Sequence, residues 1–269
     1  MGVPLVKAHA YGNDFLFVDA ATARATTRPE NLTDLARRLC DRHQGVGADG
    51  LIVFELRPGG AAMRLFNADG SASELSGNGL RCLAALVARA QSLPAGAQVV
   101  VDTDAGTKTL ELLSREGERY TYRAALGSPE DVRQVSIPVD GESITASVLR
   151  MGNPQCVVLG PLPDSARFNR LGPALATHSM FPAGTNVEFA RIEADDRVRI
   201  LIWERGVGPT SSSGTGASAS GVAAAAHGGA SRDVDVIAPG GTQRVEWRPE
   251  GVYLTGWADV VFTGEWLEL

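Results

Sequence analysis

Two serines 137 positions apart occupy the same place in the same local pattern. Ser76 lies in Leu75-Ser76-Gly77-Asn78-Gly79 and Ser213 in Ser212-Ser213-Gly214-Thr215-Gly216, each just ahead of a helical stretch. A helix start presents free backbone N–H groups and the positive end of the helix dipole, so a glycine-rich start that a ligand can approach closely suits a small anion. If the two halves of the chain face each other, one carboxylate held by the N–H groups of Gly77, Asn78, Gly214 and Thr215 has Ser76 on one side and Ser213 on the other. That is the geometry a stereochemical inversion needs. Taken singly, each pattern is also an ordinary helix cap, with serine accepting from the first turn.

Further polar residues gather at the neighbouring turns. Asn13, Asn67, Asn153 and Asn186 all stand at strand edges beside Gly, Asp or another turn residue, and Glu204-Arg205 precedes Gly206. One asparagine at such a place commonly serves a left-handed backbone or an Asx hydrogen bond. Four of them beside two anion sites suit a polar pocket for an amino acid, in which Arg205 forks onto a second carboxylate and Glu204 accepts an ammonium.

The elements that must position these residues are mostly short strands: Phe15–Asp19, Leu51–Leu56, Met63–Asn67, Gln98–Thr103, Gln155–Leu159, Asn186–Ile192, Arg197–Glu204 and Val252–Phe262. Helical patterns cover Asn31–Cys40, with Asn31 as an N-cap, Gly79–Arg89, and Thr215–Ala226, whose Ala, Ser, Gly and Val side chains are small enough to demand a tight enclosure. Many strands with a few buried helices predict an α+β fold. The serine motifs are part of a wider repeat. Gly47-Ala48-Asp49-Gly50-Leu51 and Gly184-Thr185-Asn186-Val187-Glu188 share the 137-residue offset, and Gly12-Asn13-Asp14 and Gly152-Asn153-Pro154 are 140 apart. The repeat predicts two similar domains related by a pseudo-twofold axis.

Composition removes several classes of function. The chain has 269 residues, 44% apolar and 21% charged, which is ample for two globular domains and unlike a disordered or fibrous protein. Its net charge of −6 offers no field for a nucleic-acid backbone or an anionic membrane, and no apolar run approaches a bilayer span. With no signal-like N-terminus, a cytoplasmic location is expected. Cys40, Cys82 and Cys156 are too few and too scattered for a disulfide framework or a thiolate metal site, and the four histidines lack metal-ligand spacing, so no metal is expected. Lys7 and Lys108 are the only lysines, which leaves pyridoxal phosphate almost no anchor. The G-x-G-x-x-G at Gly45–Gly50 follows a helix and precedes a strand, the reverse of a dinucleotide-binding motif.

Nearly end to end, the chain resembles the diaminopimelate epimerase family, the amino-acid epimerases that work without pyridoxal phosphate. The likeness runs through HAYGNDFLFVD (9–19), DRHQGVGADGLIVF (41–54), FNADGSASELSGNGLRC (66–82), MGNPQCVV (151–158), FPAGTNVEF (181–189) and WERGVGPTSSSGTGAS (203–218). The resemblance implies two mirrored domains, 1–117 plus 258–269 and 118–257, each a β-barrel-like sheet around a central helix. It also implies a small amino-acid substrate, no cofactor, and a homodimer. By the same resemblance Asn13, Asn67, Asn153, Asn186, Glu204 and Arg205 match substrate-binding positions, and Gly77-Asn78 with Gly214-Thr215 match the backbone cradle for the carboxylate.

The departures from the family fall on the chemistry. Where the family has one cysteine on each face of the α-carbon, this chain has Ser76 and Ser213, and Gln155 stands where the family has a histidine. Cys82 and Cys156 read as buried structural residues. An alkyl hydroxyl ionises about 4 to 5 pH units above a thiol, about 6 kcal/mol, of which a helix N-terminus offsets only about 1 to 2 kcal/mol. Full prior ionisation of a serine would slow exchange by roughly 10⁴. A hydroxyl helped by a neighbouring base avoids that step, and Glu204 is the candidate for this base. The expected activity is therefore interconversion of LL- and meso-2,6-diaminopimelate with Ser76 and Ser213 carrying protons. Its rivals are a one-base reaction such as dehydration of a hydroxy amino acid, another racemase activity, and amino-acid binding without turnover, as in a cysteine-to-serine trapping variant.

Overall fold

The computed structural model describes residues 2–26 and 31–267. The chain divides into two compact units, 1–124 with 256–269, and 125–255. The first unit holds β1 (Gly2–Ala10), β2 (Asn13–Asp19), α1 (Ala20–Thr26), α2 (Leu32–Cys40), β3 (Gly50–Arg57), β4 (Gly60–Asn67), β5 (Ala72–Ser73), α3 (Gly77–Gln91), β6 (Gln98–Thr103), β7 (Gly106–Glu116) and most of β8 (Arg119–Gly127). In the second lie β9 (Glu130–Val139), β10 (Glu142–Met151), β11 (Asn153–Leu159), α4 (Ser165–Ala176), β12 (Asn186–Ala194), β13 (Arg197–Glu204), β14 (Gly208–Thr210), α5 (Gly214–His227), β15 (Asp233–Ala238), β16 (Gly241–Arg248) and the start of β17 (Gly251–Leu267). The fold is α+β.

In the first unit, β1, β2, β3, β4, β6, β7, β8 and the later part of β17 pair in sequence around a closed barrel of eight strands. α3 fills it. Every residue of α3 from Asn78 to Ala88 is buried, and Leu80, Leu83 and Val87 pack on Phe15, Phe17, Ile52 and Leu65 from the inner strand faces. Removing that much apolar area from water is the main force holding helix and barrel together. α2 lays Leu32, Leu35, Ala36 and Leu39 on the outer side of β2 and β3 with Leu16, Val18 and Leu51. Its first residue is Leu32, and Asn31 makes no side-chain cap hydrogen bond, because its backbone (φ −102°, ψ 9°) is not the extended form from which a cap reaches the first turn.

The second unit repeats the scheme. β9, β10, β11, β12, β13, β15, β16 and β17 form one ladder, parallel at β11–β12 and β13–β15 and antiparallel elsewhere, as β2–β3 and β4–β6 are the parallel joins of the first unit. α5 is buried from Gly216 to Ala224. Its small side chains let strands close in on every face, and the buried hydroxyls of Ser218 and Ser220 are satisfied by the carbonyls of Gly214 and Gly216 at 2.9 and 2.8 Å. Gly221 shows how tight this is, since a Cβ there would lie 2.9 Å from Val245 Cγ1 and 3.2 Å from Val234 Cγ2.

A methyl group at Gly221 raises helix propensity by about 1 kcal/mol but forces two β-branched residues to move. We expect Gly221→Ala to lower stability by about 1 to 3 kcal/mol, read as a lower urea midpoint at unchanged slope. A variant as stable as the parent would mean that α5 is not tightly enclosed.

Candidate active site

Each serine is the N-cap of its unit's central helix. Ser76 (φ −127°, ψ 122°) accepts from Gly79 N–H at 3.1 Å, and Ser213 (φ −140°, ψ 125°) from Gly216 N–H at 3.2 Å. The capping reading of each motif holds, and the N–H groups of Gly77, Asn78, Gly214 and Thr215 belong to the first turns, which have no carbonyl partner within their own helix. Gly77 faces open space, with nothing within 4 Å of where a Cβ would stand. Both helix starts sit close to the sheet, so that a side chain at the third residue beyond the cap would press on the tip of a strand side chain. At Gly79 a Cβ would come 2.9 Å from Ile52 Cδ1, and at Gly216 it would come 2.5 Å from Glu188 Oε1.

In the first unit the polar residues form one connected chain under α3. Asn78 Nδ2 donates to Asn13 Oδ1 at 3.1 Å and Asn13 Nδ2 donates to Asp49 Oδ2 at 2.7 Å, while Arg42 ties Asp49 to Asp14. The loop Gly45–Asp49, lying after α2 and before β3, serves this network and receives Lys7 Nζ on the Gly47 carbonyl at 2.6 Å. Arg81, 4% exposed, donates to Asn78 Oδ1 and lies 5.6 Å from the Tyr11 ring centroid, with no partner for its Nε among the described residues. Burial pulls its guanidinium down from the usual value, and a guanidinium stays charged in a protein, so a positive charge is fixed below the start of α3. Asn67 stands apart from this chain, its Nδ2 on Ser71 Oγ at 2.9 Å within its own turn.

The second unit is built from acids instead. Burial raises the pKa of the Glu204 carboxyl and the nearby Ser213 hydroxyl eases it back. Ser213 Oγ is also 3.4 Å from Thr215 Oγ1. Gln155, fully buried on β11, turns its amide oxygen toward Glu188, 3.0 Å from Oε1 and 3.3 Å from Oε2, where it accepts the proton of a neutral carboxyl, while its nitrogen lies 3.2 Å from Thr215 Oγ1. The Asn153 side chain lies 2.6 Å from the other end of the same amide. Asn186 Oδ1 accepts from the Arg205 backbone N–H at 3.0 Å, and the Arg205 guanidinium donates to the Ala183 carbonyl, not to an acid of this chain. Gln155, Asn153, Asn186, Glu204, Arg205, Ser213 and Thr215 are thus joined within one unit, as Asn13 and Asn78 are in the other.

Arg81 and Glu188 are absent from the sequence-derived site. Arg81 sits on an otherwise apolar helix stripe, and Glu188 is two residues from Asn186, so strand alternation puts both on one sheet face. A charged residue inside a pattern that otherwise reads as buried is the signal that exposes them. Glu188 is wholly buried, and that burial together with the neighbouring Glu204 carboxyl holds it protonated well above the ordinary carboxylate range. The three thiols are equally enclosed. Burial pushes Cys40 up to about 12 and Cys82 and Cys156 higher still.

Two barrel-like units, each wrapped around a helix capped by a serine, form a fold that solved structures share. A solved hydroxyproline epimerase from Agrobacterium vitis with bound trans-4-hydroxy-L-proline has this fold, with a TM-score of 0.67 over 98% of this chain and 92% of its own at 17% identity. The sequence model of diaminopimelate epimerase matches residues 5–130 and 147–261. Diaminopimelate epimerases from Desulforudis audaxviator and Desulfitobacterium hafniense are 43% and 39% identical to it, over 97% and 98% of this chain and 98% of each relative. The chain belongs to the diaminopimelate epimerase family.

Two outcomes follow from burial. A thiol reagent should label none of Cys40, Cys82 and Cys156 in the folded protein and all three after denaturation; rapid labelling of a native thiol would show a more open core. For Glu188, the raised folded value means that the folded state keeps a proton which the unfolded chain releases above its ordinary 4.5. Its contribution is complete below that value and is lost as pH rises toward the folded one. Urea titrations across pH should therefore show Glu188→Gln gaining on the parent as pH rises above 4.5, and parallel curves would contradict a protonated Glu188.

Proposed function

We propose that this protein is a cofactor-independent isomerase that interconverts LL- and meso-2,6-diaminopimelate by exchanging the α-proton. The observation that carries this reading is the full-length family match, joined to serine-capped helices whose first turns offer free N–H groups to a carboxylate. In this reading Gly77, Asn78, Gly214 and Thr215 hold the reacting carboxylate, Asn13, Asn67, Asn153, Asn186 and Arg205 hold the remainder of the substrate, and Ser76 and Ser213 carry protons. The N–H groups that already bond the serine oxygens at 3.1 and 3.2 Å would also steady negative charge developing there. Glu204 accepts the Ser213 hydroxyl proton as Oγ takes the α-proton, so no free alkoxide is formed. The same reading makes the protein a cytoplasmic homodimer, a proposal that family likeness supports. Among the described residues no helix is long and apolar enough to cross a membrane.

A second reading is favoured by one observation: the Ser213 hydroxyl acts on a carboxyl of its own unit, Glu204, whereas the strands of the first unit present Phe15 and Ile52 to Gly79 at the start of α3. Chemistry confined to the Ser213 face would exchange the α-proton with retention or support a one-base elimination.

Incubating LL- and meso-diaminopimelate with the protein in D₂O, and following the α-proton by ¹H NMR, tests both. We expect wash-out with formation of the other isomer, up to about 10⁴-fold slower than in a Ser76→Cys, Ser213→Cys variant. Wash-out with unchanged stereochemistry selects the one-face reading. No exchange at stoichiometric protein, from any isomer, sinks the isomerase.

A further inference from the structure

Glu188 occupies a position that this fold fills elsewhere with an aliphatic side chain. In the first unit Ile52 pairs with Phe17 on β2 and Leu65 on β4, and lies against Gly79. In the second, Glu188 pairs with Val157 on β11 and Ile202 on β13, and lies against Gly216. The two sites match strand for strand. A carboxyl group buried without charge compensation costs several kcal/mol, and Ile52 shows that the packing itself calls for no acid. The groups facing Glu188 are Glu204 and Ile202 on β13, Gln155 on β11, and Thr215 and Gly216 on α5, with the Cys156 thiol on the opposite face of β11 close enough to feel its charge. None of these is a cation.

The contacts of this acid lead to Ser213 by two routes. Through Gln155 it is linked to Thr215 in the first turn of α5, and Thr215 Oγ1 stands 3.4 Å from Ser213 Oγ. Across the sheet, register puts Glu188 opposite Ile202, which makes Glu204 its diagonal neighbour on the same face, and Glu204 is the carboxyl on which the Ser213 hydroxyl acts. Two carboxyls this close and this poorly solvated do not both ionise, and the more enclosed one keeps the proton.

We propose that Glu188 is a positioning residue for α-proton exchange at Ser213, a neutral carboxyl that orients Gln155 and Thr215 and leaves Glu204 as the ionised acceptor of the serine proton. This rests on the isomerase reading above. As the substrate C–H bond breaks, its proton goes to Ser213 Oγ, the former hydroxyl proton goes to the Glu204 carboxylate, and the electron pair stays on the substrate α-carbon. The proton on Glu188 does not move. When Glu188 ionises at higher pH it loses the O–H that holds the Gln155 amide, and Thr215 beside Ser213 is no longer fixed. Exchange therefore falls on the alkaline side.

The test has one arm that needs no turnover. Infrared spectra of protein labelled with ¹³C-glutamate should show a protonated carboxyl band at neutral pH that vanishes in Glu188→Gln and persists in Ser213→Ala. In Glu204→Gln that band should titrate away at lower pH, because the like charge is gone. A missing band, or one indifferent to Glu204→Gln, overturns the proposal, whatever the protein does to diaminopimelate. The second arm is α-proton exchange across pH. Glu188→Leu, which copies the packing of Ile52, should exchange at least about tenfold more slowly than the parent. Glu188→Gln should recover much of that loss and show no alkaline fall. A leucine variant that exchanges at the parental rate with the parental pH profile reduces Glu188 to packing and overturns the proposal. Absence of exchange in the parent counts against the isomerase reading alone, and the infrared arm then decides for Glu188.

Discussion

The first turn of a helix buried in a barrel is the constraint on which the rest of this structure depends. Its N–H groups cannot be paired by the helix itself, and the surrounding strands have used their own carbonyls on one another. A serine cap removes one donor from the deficit, at Gly79 and at Gly216, and the remaining N–H groups are left for a ligand. Glycine at these two positions suits the same enclosure, since a side chain there would displace the tip of Ile52 or Glu188. The Ser-Gly-x-Gly pattern is thus a solution to a packing problem before it is a binding motif. The two uses are compatible because both ask for exposed N–H groups beside a hydroxyl.

Each unit carries that arrangement, and the strands beneath differ between the two. Under α3 the sheet presents Phe15 and Ile52, with the charge supplied from the helix by Arg81 and relayed through Asn78 and Asn13 to Asp49. Under α5 it presents Gln155, Glu188 and Glu204. One unit therefore places a fixed positive charge near its free N–H groups, which favours holding an anion. The other places groups able to keep or accept a proton.

Much of this was legible in the residues because glycine-rich turns and central strands are read through strong local rules. Gln98–Thr103 and Arg197–Glu204 have the bounds that their alternation indicates, and the Ser76 and Ser213 motifs mark the two helix starts. The peripheral strands were hidden. β9 and β16 alternate charged with apolar residues over stretches such as EDVRQVSIPV and GTQRVEWR, where half of every period faces water and no apolar run forms. β1 is interrupted by Pro4, Lys7 and His9, yet it pairs on both sides. Gly172 and Pro173 mask α4, although Asp164 caps it at 2.8 Å and Trp203 packs on Gly172. Asn31 looked like a cap and is not one, because a cap is a backbone conformation and the residue type alone does not fix it.

Glu188 and Arg81 were hidden for a different reason. Propensity and periodicity describe how a chain is packed, and both residues sit where packing alone would place something apolar. Such contradictions mark places where another requirement has overridden the fold's preference. For a serine the requirement can be named. A thiol ionises near neutral pH with modest help, whereas a hydroxyl needs an acceptor for its proton at the moment it takes another. Ser213 has that acceptor in Glu204, and an acceptor in a poorly solvated site stays available only if a nearby acid does not compete to be the charged one. A buried carboxyl that holds its own proton meets this condition, and an amide fixed between it and the helix start keeps the geometry from relaxing.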